Sequence, residues 1–202
     1  MNISKAKIAV LVSGGGTNLQ ALIDAEKNGI IKSGEISLVV SNNPNAYALQ
    51  RASDAGINTA VVSRKELGDR FEDALIKVLQ DNGTDLIILA GFMCILSEKF
   101  TGTYADRIIN VHPSLIPSFC GKGFYGLHVH EAALEYGVKV TGATVHFVNE
   151  IPDGGKIIMQ KAVEILENDT PETLQKRVMK EAEWKILPLS AEKVCAEIIE
   201  RK

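Results

Sequence analysis

The 202-residue sequence predicts one α/β domain, in which a parallel sheet is covered on both faces by helices. Short, continuously apolar runs alternate along the chain with segments whose apolar residues recur at helical spacing. Runs without polar alternation are typical of strands buried on both faces, which favours a parallel sheet built from βαβ units. No proline- or serine-rich linker, low-complexity tract or internal repeat divides the sequence into two domains.

Strands and helices alternate regularly through the first half of the chain. The predicted strands are Ile8–Val12, Ile36–Val40, Thr59–Val62, Leu86–Ala90 and Ile108–Val111. The predicted helices are Asn18–Lys27, Ala46–Ala55 and Phe71–Leu79. Asn82 and Gly83 end the third helix, because both residue types favour turns.

The second half has a different pattern. Val140–Val148 alternates more clearly, and the turn-rich segment Asn149–Gly155 joins it to a further strand, Ile157–Val163, which predicts a hairpin-like extension of the sheet. A last helix begins at Asp169 or Thr170 as N-cap, with proline at its first position. Leu174, Val178 and Ala182 form its buried face, and Pro188 is predicted to interrupt or end it.

Composition and charge exclude several classes of protein. A hydrophobic fraction of 46% is ordinary for a globular protein, and a net charge of −3 argues against nucleic-acid binding by bulk electrostatics. The longest apolar runs are far shorter than the roughly 20 residues of a membrane span. The N-terminus shows no signal-peptide pattern, and three widely spaced cysteines favour free thiols in a reducing compartment. We therefore expect a cytoplasmic protein without membrane or nucleic-acid partners.

A glycine-rich loop, residues 13–18, lies between the first strand and the first helix. Free N–H groups at the start of a helix attract phosphate, and glycines allow a sharp turn. A dinucleotide fingerprint fails because Leu19 replaces the last small residue and Ser41 stands near the expected acidic position. A P-loop is also excluded, because it needs Gly-Lys followed by Ser or Thr where this chain has Leu19 and Gln20. The loop therefore suits one phosphate monoester, with Thr17 and Asn18 as side-chain donors; the alternative is a plain strand-to-helix turn.

Asn110 and His112 lie two residues apart at the end of the fifth predicted strand, so both would point to the same face. An amide donor beside an imidazole suits acyl transfer, since one stabilises an oxyanion and the other moves a proton. The alternative is a structural histidine. Asp153, in an Asp-Gly-Gly turn, would raise the pKa of the imidazole and orient it if the two groups approach each other; the alternative is a simple hairpin turn.

We expect no metal site. His128 and His130 invite a metal hypothesis together with the two other histidines of the chain. Both residues open a predicted helix, however, where side chains two positions apart diverge, and no cysteine or carboxylate spacing completes a zinc ligand set.

Four stretches of the chain carry a resemblance when they are taken together: Val12–Gln20, Leu89–Ser97, Asn110–Leu115, and Val145–Val148 followed by Asp153–Gly155. In this order and at this spacing they resemble the phosphoribosylglycinamide formyltransferases, folate-dependent enzymes of purine synthesis. The resemblance covers essentially the whole chain. It implies a mostly parallel seven-stranded sheet in a single formyltransferase domain, 1–202, with a phosphate-binding half at about 1–100 and a catalytic and folate-binding half at about 101–202.

The resemblance also implies a reaction: transfer of the formyl group of 10-formyltetrahydrofolate to the amine of 5-phosphoribosylglycinamide, through a tetrahedral intermediate. Asn110, protonated His112 and Asp153 would be the catalytic residues. The ribonucleotide would contact Gly15, Gly16, Thr17, Asn18 and, through the spacing to Pro188, Glu183. The folate would contact Met93, Cys94, Ile95, Leu96, Asn110, Asn149, Glu150, Ile151, Pro152 and Asp153. Small molecules are thus the expected partners, bound by a monomer or homodimer.

The sequence departs from the family pattern at three places, and the roles of family residues are not carried over there. Cys94 stands where many members have arginine, so backbone contacts to folate are expected at this position and the side-chain contact of the arginine is not carried over. Members of the family often have an arginine just before the third helix. Arg70 does not align with that position, so no contact to folate is assigned to it. The loop Cys120–Gly126 is longer than the usual version, and either a mobile flap or a tolerated insertion would explain it.

There are three alternative functions. A hydrolase that releases formate from the same folate resembles the catalytic half, but carries an additional N-terminal domain for which no room is expected before a first strand that begins near Lys7. A transferase acting on initiator methionyl-tRNA would need a basic C-terminal domain. A non-catalytic nucleotide-binding module is the alternative from a different class, and the residues at Leu19 and Ser41 oppose it.

Overall fold

A computed structural model describes residues 5–202. Its centre is one seven-stranded sheet with the strand order β3-β2-β1-β4-β5-β6-β7. The strands are β1 (Ala6–Val12), β2 (Gly34–Ser41), β3 (Asn58–Val61), β4 (Leu86–Leu89), β5 (Ile108–His112), β6 (Val140–Phe147) and β7 (Ile157–Glu164). The first five strands pair with one another in parallel, whereas β6 is antiparallel to β5 and to β7.

The sheet confirms the predicted α/β class, and the hairpin-like extension is the antiparallel pair of β6 and β7. Every predicted strand has its counterpart, with ends that agree within two residues. The apolar runs were informative because most strands of this sheet are buried on both faces, as β1 and β4 show over nearly their whole lengths.

Helices cover both faces of the sheet. They are α1 (Thr17–Lys27), α2 (Tyr47–Asp54), α3 (Arg64–Leu67), α4 (Phe71–Asp81), α5 (Glu98–Thr103), α6 (Leu127–Tyr136), α7 (Pro171–Val178) and α8 (Trp184–Glu200). Alternate residues of β1 separate into two cores: Val10 packs with residues of α1 and α8, and Leu11 packs with residues of α4 and α5. Because successive strand residues face opposite sides, one strand supplies both cores.

The sequence did not predict α3, the 3₁₀ turn that follows it at Gly68–Arg70, or α5. These elements are too short for apolar periodicity to distinguish them from loops. One local signal was present at α5, where Ser97 caps the helix by accepting a hydrogen bond from the N–H of Phe100 at 3.3 Å.

The last helical region begins as predicted but continues past Pro188. Thr170 is the N-cap and Pro171 the first helical residue of α7. The prediction that Pro188 interrupts or ends the helix is wrong, because Pro188 lies inside α8, which continues to Glu200. A wider π turn, Met179–Glu183, comes directly before α8. Such a turn shifts the preceding carbonyl groups, which is the accommodation that a proline within a helix requires.

Among residues 5–202, no helix has the length and apolar character needed to cross a bilayer.

Candidate active site

The carboxyl ends of β1, β4 and β5 meet at one edge of the sheet, because these neighbouring strands are parallel. Asn110 and His112 lie at the end of β5 on the same face, as their spacing predicts. The antiparallel register of β6 places His146 opposite Asn110 and Thr144 opposite His112. His112 and His146 are both buried, with 4% and 2% of their surface exposed.

Asp153 enters this cluster from the loop between β6 and β7. Its φ of +56° is unusual for a residue other than glycine and turns the chain back toward the sheet. Gly155 must be glycine here, because a Cβ atom would clash with the Phe147 carbonyl oxygen. The Asp153 carboxylate lies between two imidazoles, with Oδ2 3.5 Å from His112 Nδ1 and Oδ1 3.5 Å from His146 Nε2. The structure therefore brings together the three residues expected to carry the chemistry.

The loop Cys120–Gly126 and the residues before it contact the same groups. His112 Nε2 lies 2.8 Å from the Phe119 carbonyl oxygen, and the Gly121 N–H donates to Asp153 Oδ2 at 2.8 Å. A carbonyl oxygen only accepts, so Nε2 of His112 carries a hydrogen and Nδ1 faces Asp153. Phe119 and the loop thus each cover one atom of the cluster.

The protonation of His112 differs from the sequence-based expectation. Burial is the largest influence and lowers the pKa of His112, while Asp153 and the Phe119 carbonyl raise it and His146 lowers it further. Asp153 therefore acts on His112 in the expected direction, but burial outweighs it, and the net pKa lies below the usual value. The pKa of Asp153 is also low: burial raises it, but His146, His112 and the Gly121 N–H together outweigh burial.

His146 is a member of the cluster that sequence reasoning considered only as a metal ligand. Its contact with Asn110, from Asn110 Nδ2 to His146 Nε2 at 3.2 Å, depends on the register of β5 against β6. A strand pattern shows which face a side chain occupies, but not which residue it meets on the neighbouring strand.

The glycine-rich loop has the conformation expected of an anion site. Gly16 has a φ of +73°, and a Cβ there would lie 2.6 Å from the Cβ of Ala48. Helix α1 begins at Thr17 with no side-chain cap and no acidic residue in its first turn. The first N–H groups of α1 therefore remain available to an anion. Arg51 Nε holds the Gly15 carbonyl at 2.8 Å, which adds positive charge beside the loop.

Glu183 and Asn18 join the loop to the C-terminal helices. Asn18 Nδ2 donates to Glu183 Oε2 at 2.7 Å, so one amide hydrogen of Asn18 is directed at Glu183. Glu183 is 6% exposed, and burial raises its pKa to about 7, partly offset by the hydrogen bond from Asn18. The side-chain oxygen of Asn18 is buried and has no hydrogen-bond partner within the described part of the chain.

The segment Met93–Leu96 lies beside the glycine-rich loop, to which the hydrogen bond from Met93 N to Ser13 Oγ at 2.8 Å connects it. It lines an open cavity of about 450 Å³ together with Arg64, Glu72 and Ser97. Asn149, Glu150, Ile151 and Pro152 are not part of this lining; they lie in the loop that carries Asp153. Cys94 is half-buried, and its Sγ accepts a hydrogen bond from Asn42 Nδ2 at 3.0 Å.

Arg64 is a second residue that sequence reasoning missed. The sequence-based search considered Arg70, which lies exposed on the 3₁₀ turn after α3 and does not line the cavity. Only the fold shows that α3 carries Arg64 to the edge of the Met93–Leu96 segment.

Comparison with known proteins identifies the family. A model of the formyl transferase family matches residues 6–190. The chain belongs to this family. Phosphoribosylglycinamide formyltransferase of Haemophilus influenzae is 46% identical over 185 residues, which is 91% of this chain and 84% of that protein. The crystal structure of glycinamide ribonucleotide transformylase 1 from Symbiobacterium toebii is 40% identical, with a TM-score of 0.89 over 96% of this chain and 89% of that one.

Larger relatives contain a similar region. The trifunctional purine biosynthetic protein adenosine-3 of Gallus gallus is 47% identical over 195 residues, but these are 96% of this chain and only 19% of that protein. The human protein of the same name is 45% identical over 194 residues and is covered to 18%. The chain thus spans about a fifth of the length of these relatives. The expected resemblance and the expected fold are both confirmed.

Residues 5–202 contain no group of three or more His, Cys, Asp and Glu side chains arranged to hold a metal ion.

Proposed function

We propose that the chain transfers the formyl group of 10-formyltetrahydrofolate to the amine of 5-phosphoribosylglycinamide, a step of purine biosynthesis. One observation carries the proposal: Asn110, His112 and Asp153 converge at the sheet edge where the glycine-rich loop also ends. An amide donor, an imidazole and a carboxylate are suited to acyl transfer, and the neighbouring loop is suited to a phosphate.

The ribonucleotide would place its phosphate on the loop. The N–H groups of Gly15, Gly16 and Thr17 would bind the phosphate oxygens, and the positive end of α1 favours this negative charge. Asn18 would contribute its second amide hydrogen, since the first is directed at Glu183. Glu183 would contact the amine-bearing part of the substrate.

The folate would occupy the cavity lined by Met93, Cys94, Ile95 and Leu96. Met93 and Ile95 are exposed hydrophobic residues there, which suits a planar aromatic ring system. The loop Asn149–Asp153 would close the site on the side of β6. Arg64 would pair with a carboxylate of the folate tail, because it is the cation that lines this cavity.

In the chemical step, the neutral amine of the ribonucleotide attacks the formyl carbon, and the carbonyl oxygen becomes an oxyanion. The free N–H of Asn110 and the Nε2–H of neutral His112 would donate to this oxyanion. The Phe119 carbonyl, which accepts from Nε2 in this structure, would have to move aside. A neutral imidazole is sufficient for this role, which agrees with the low pKa of His112.

Asp153 would assist the proton transfer. The attacking nitrogen becomes positively charged and must lose one proton, while the folate nitrogen must gain one before it can leave. Asp153 is partly accessible, with 13% of its side chain exposed, so it can relay this proton through water. The formyl–nitrogen bond to folate then breaks, which gives formylated ribonucleotide and tetrahydrofolate without a covalent enzyme intermediate.

Three further features of the proposal follow from the sequence. The phosphate would be bound within about residues 1–100, and the formyl group and most of the folate-facing loops would lie within about residues 101–202. The partners would be small molecules, with neither nucleic acid nor membrane involved. The protein would act in the cytoplasm as a monomer or homodimer.

Steady-state kinetics of three variants tests the proposal. Asn110→Ala, His112→Ala and Asp153→Asn should each lose about 10²-fold or more in kcat, while circular dichroism shows an unchanged fold. His128→Ala, which changes an exposed histidine on α6, serves as the control. Near-normal turnover of any of the three variants would remove that residue from the mechanism. Formate release by the wild type without the ribonucleotide would instead support the hydrolase.

A further inference from the structure

Three consecutive glycines give the loop before α1 unusual conformational freedom. Residues 14–16 are all glycine, and glycine adopts positive and negative φ values about equally easily. No side chain on either side therefore opposes rotation of the peptide plane between Gly15 and Gly16. A half-turn of this peptide would exchange the positions of the Gly15 carbonyl and the Gly16 N–H, so that an anion beside the loop would meet an oxygen instead of a donor.

Helix α2 holds the carbonyl side of the loop. The Ala48 N–H donates to the Gly14 carbonyl at 3.0 Å, and Arg51 Nε donates to the Gly15 carbonyl at 2.8 Å. Both of these peptides are trans, and in a trans peptide the C=O and the following N–H point in opposite directions. The N–H groups of Gly15 and Gly16 therefore point away from α2. Neither of them donates to a backbone carbonyl within the described part of the chain, so both are available to a ligand.

Arg51 is itself held in place. Its Nη1 donates to Gln20 Oε1 at 3.1 Å, and its guanidinium lies over the ring of Tyr47, 5.0 Å from the ring centroid. Gln20 belongs to α1, whereas Tyr47 and Arg51 belong to α2, so the guanidinium connects the two helices beside the loop. The Gly15 carbonyl thus meets a donor whose own position is fixed.

We propose that Arg51 is a positioning residue, which fixes the peptide between Gly15 and Gly16 so that the Gly16 N–H faces the phosphate of the ribonucleotide. The inference rests on the proposed function, in which this loop binds that phosphate. Arg51 acts through the peptide and need not touch the phosphate. Without its hydrogen bond, part of the population would present the Gly15 oxygen to the phosphate, which weakens binding and leaves the chemical step unchanged.

Three substitutions of Arg51 separate its hydrogen bond from its charge. Arg51→Gln places an amide nitrogen where arginine has Nε, so it can still donate to the Gly15 carbonyl without a charge. Arg51→Lys keeps the charge but has a methylene group at that position, and Arg51→Met has neither the charge nor the donor. We expect KM for the ribonucleotide to rise about tenfold in Arg51→Lys and Arg51→Met but less than about threefold in Arg51→Gln, with kcat changed less than about twofold in all three.

The order of these KM values decides between positioning and direct attraction of the phosphate. A larger rise in Arg51→Gln than in Arg51→Lys would overturn the inference, because the charge of Arg51 would then be what matters. A wild-type KM in Arg51→Met, or a fall in kcat as large as the rise in KM, would overturn it as well. Arg70→Met, which changes an exposed arginine, is the matched control and should alter neither constant.

Binding of inorganic phosphate tests the same contact without formyl transfer. When phosphate is added to the wild type, the amide NMR signals of Gly15 and Gly16 should shift, and the dissociation constant read from them should rise about tenfold in Arg51→Lys and Arg51→Met but less than about threefold in Arg51→Gln. Circular dichroism confirms that the variants are folded.

The wild-type titration keeps the inference testable if a variant does not fold, because a Gly16 signal that phosphate leaves unmoved would overturn it. It also separates the two proposals. If phosphate binds as expected and the wild type transfers no formyl group, the proposed function is refuted, whereas the role of Arg51 in orienting the loop is supported by the titrations.

Discussion

Replacing Glu183 by glutamine should stabilise the protein at neutral pH. Glu183 is buried at the π turn, and its only hydrogen-bond donor in the described chain is the Asn18 amide. Burial raises the pKa of its carboxyl from the usual 4.5 to about 7. Below pH 4.5 the group is protonated in both the folded and the unfolded protein. Between pH 4.5 and 7 the folded protein keeps a proton that the unfolded chain releases, so the free energy of unfolding falls as the pH rises.

The size of the effect follows from the two pKa values. A shift from 4.5 to about 7, at about 1.4 kcal/mol per pKa unit, makes ionised Glu183 as much as about 3 kcal/mol costlier in the folded state. Glutamine has no charge to bury, and its side-chain oxygen can still accept from Asn18. We therefore expect Glu183→Gln and the wild type to be similar at pH 4.5–5, and the variant to be more stable by up to about 3 kcal/mol at pH 8.

Urea unfolding at a series of pH values from 4.5 to 8 measures the difference. Glu181→Gln is the matched control, because Glu181 lies exposed in the same π turn. The control should change the free energy of unfolding by less than about 0.5 kcal/mol at every pH. Stability curves of the wild type and Glu183→Gln that run parallel across this pH range would refute the reasoning, because they would show that Glu183 does not change its pKa on folding.

Three further predictions concern the loop, the cavity and the imidazole. Gly16→Ala should lower the free energy of unfolding by at least about 1 kcal/mol in urea titrations and raise KM for the ribonucleotide, since its φ and its contact with Ala48 both oppose a Cβ; wild-type values would contradict this account of the loop. Arg64→Ala should raise KM for the folate about fivefold and leave kcat unchanged. Arg70→Ala is the control, and equal effects of the two would argue against the assigned cavity. Because the pKa of His112 lies below 6.5, kcat/KM should stay high down to pH 6.5 and fall only in more acidic buffers; activity that rises on acidification through this range would show that protonated His112 is the active form.

The strands of the sheet could be predicted because each is recognisable from its own apolar residues, without knowledge of the strands beside it. Segments such as Leu86–Leu89 are apolar at every position, and so short an apolar run between turn residues favours a strand buried on both faces. The end of the last helix could not be predicted in the same way. Pro188 normally ends a helix, and the π turn that accommodates it is stabilised by packing of Val178, Ala182 and Ile186 in the core, which a local pattern does not show.

The sequence indicated which residues form the candidate site, but not their pKa values or all of their contacts. Asn110, His112 and Asp153 were accessible from spacing and resemblance, because they lie at strand ends and in a turn with recognisable sequences. The pKa of His112 depends on burial by residues distant in the sequence, so the sequence did not show that burial would lower this pKa more than Asp153 raises it. His146 and Arg64 become visible only when strand register and the position of α3 are known.

Transfer of a labelled formyl group is the most direct measurement of the proposed activity. The wild-type protein is mixed with 10-formyltetrahydrofolate that carries ¹³C in the formyl group, with and without 5-phosphoribosylglycinamide, and the label is followed by NMR. The proposal predicts that the label moves to the amine of the ribonucleotide, one formyl group for each tetrahydrofolate formed, and remains on the folate when the ribonucleotide is omitted. Label that appears as formate at the same rate with or without the ribonucleotide, or that does not leave the folate at all, would contradict it.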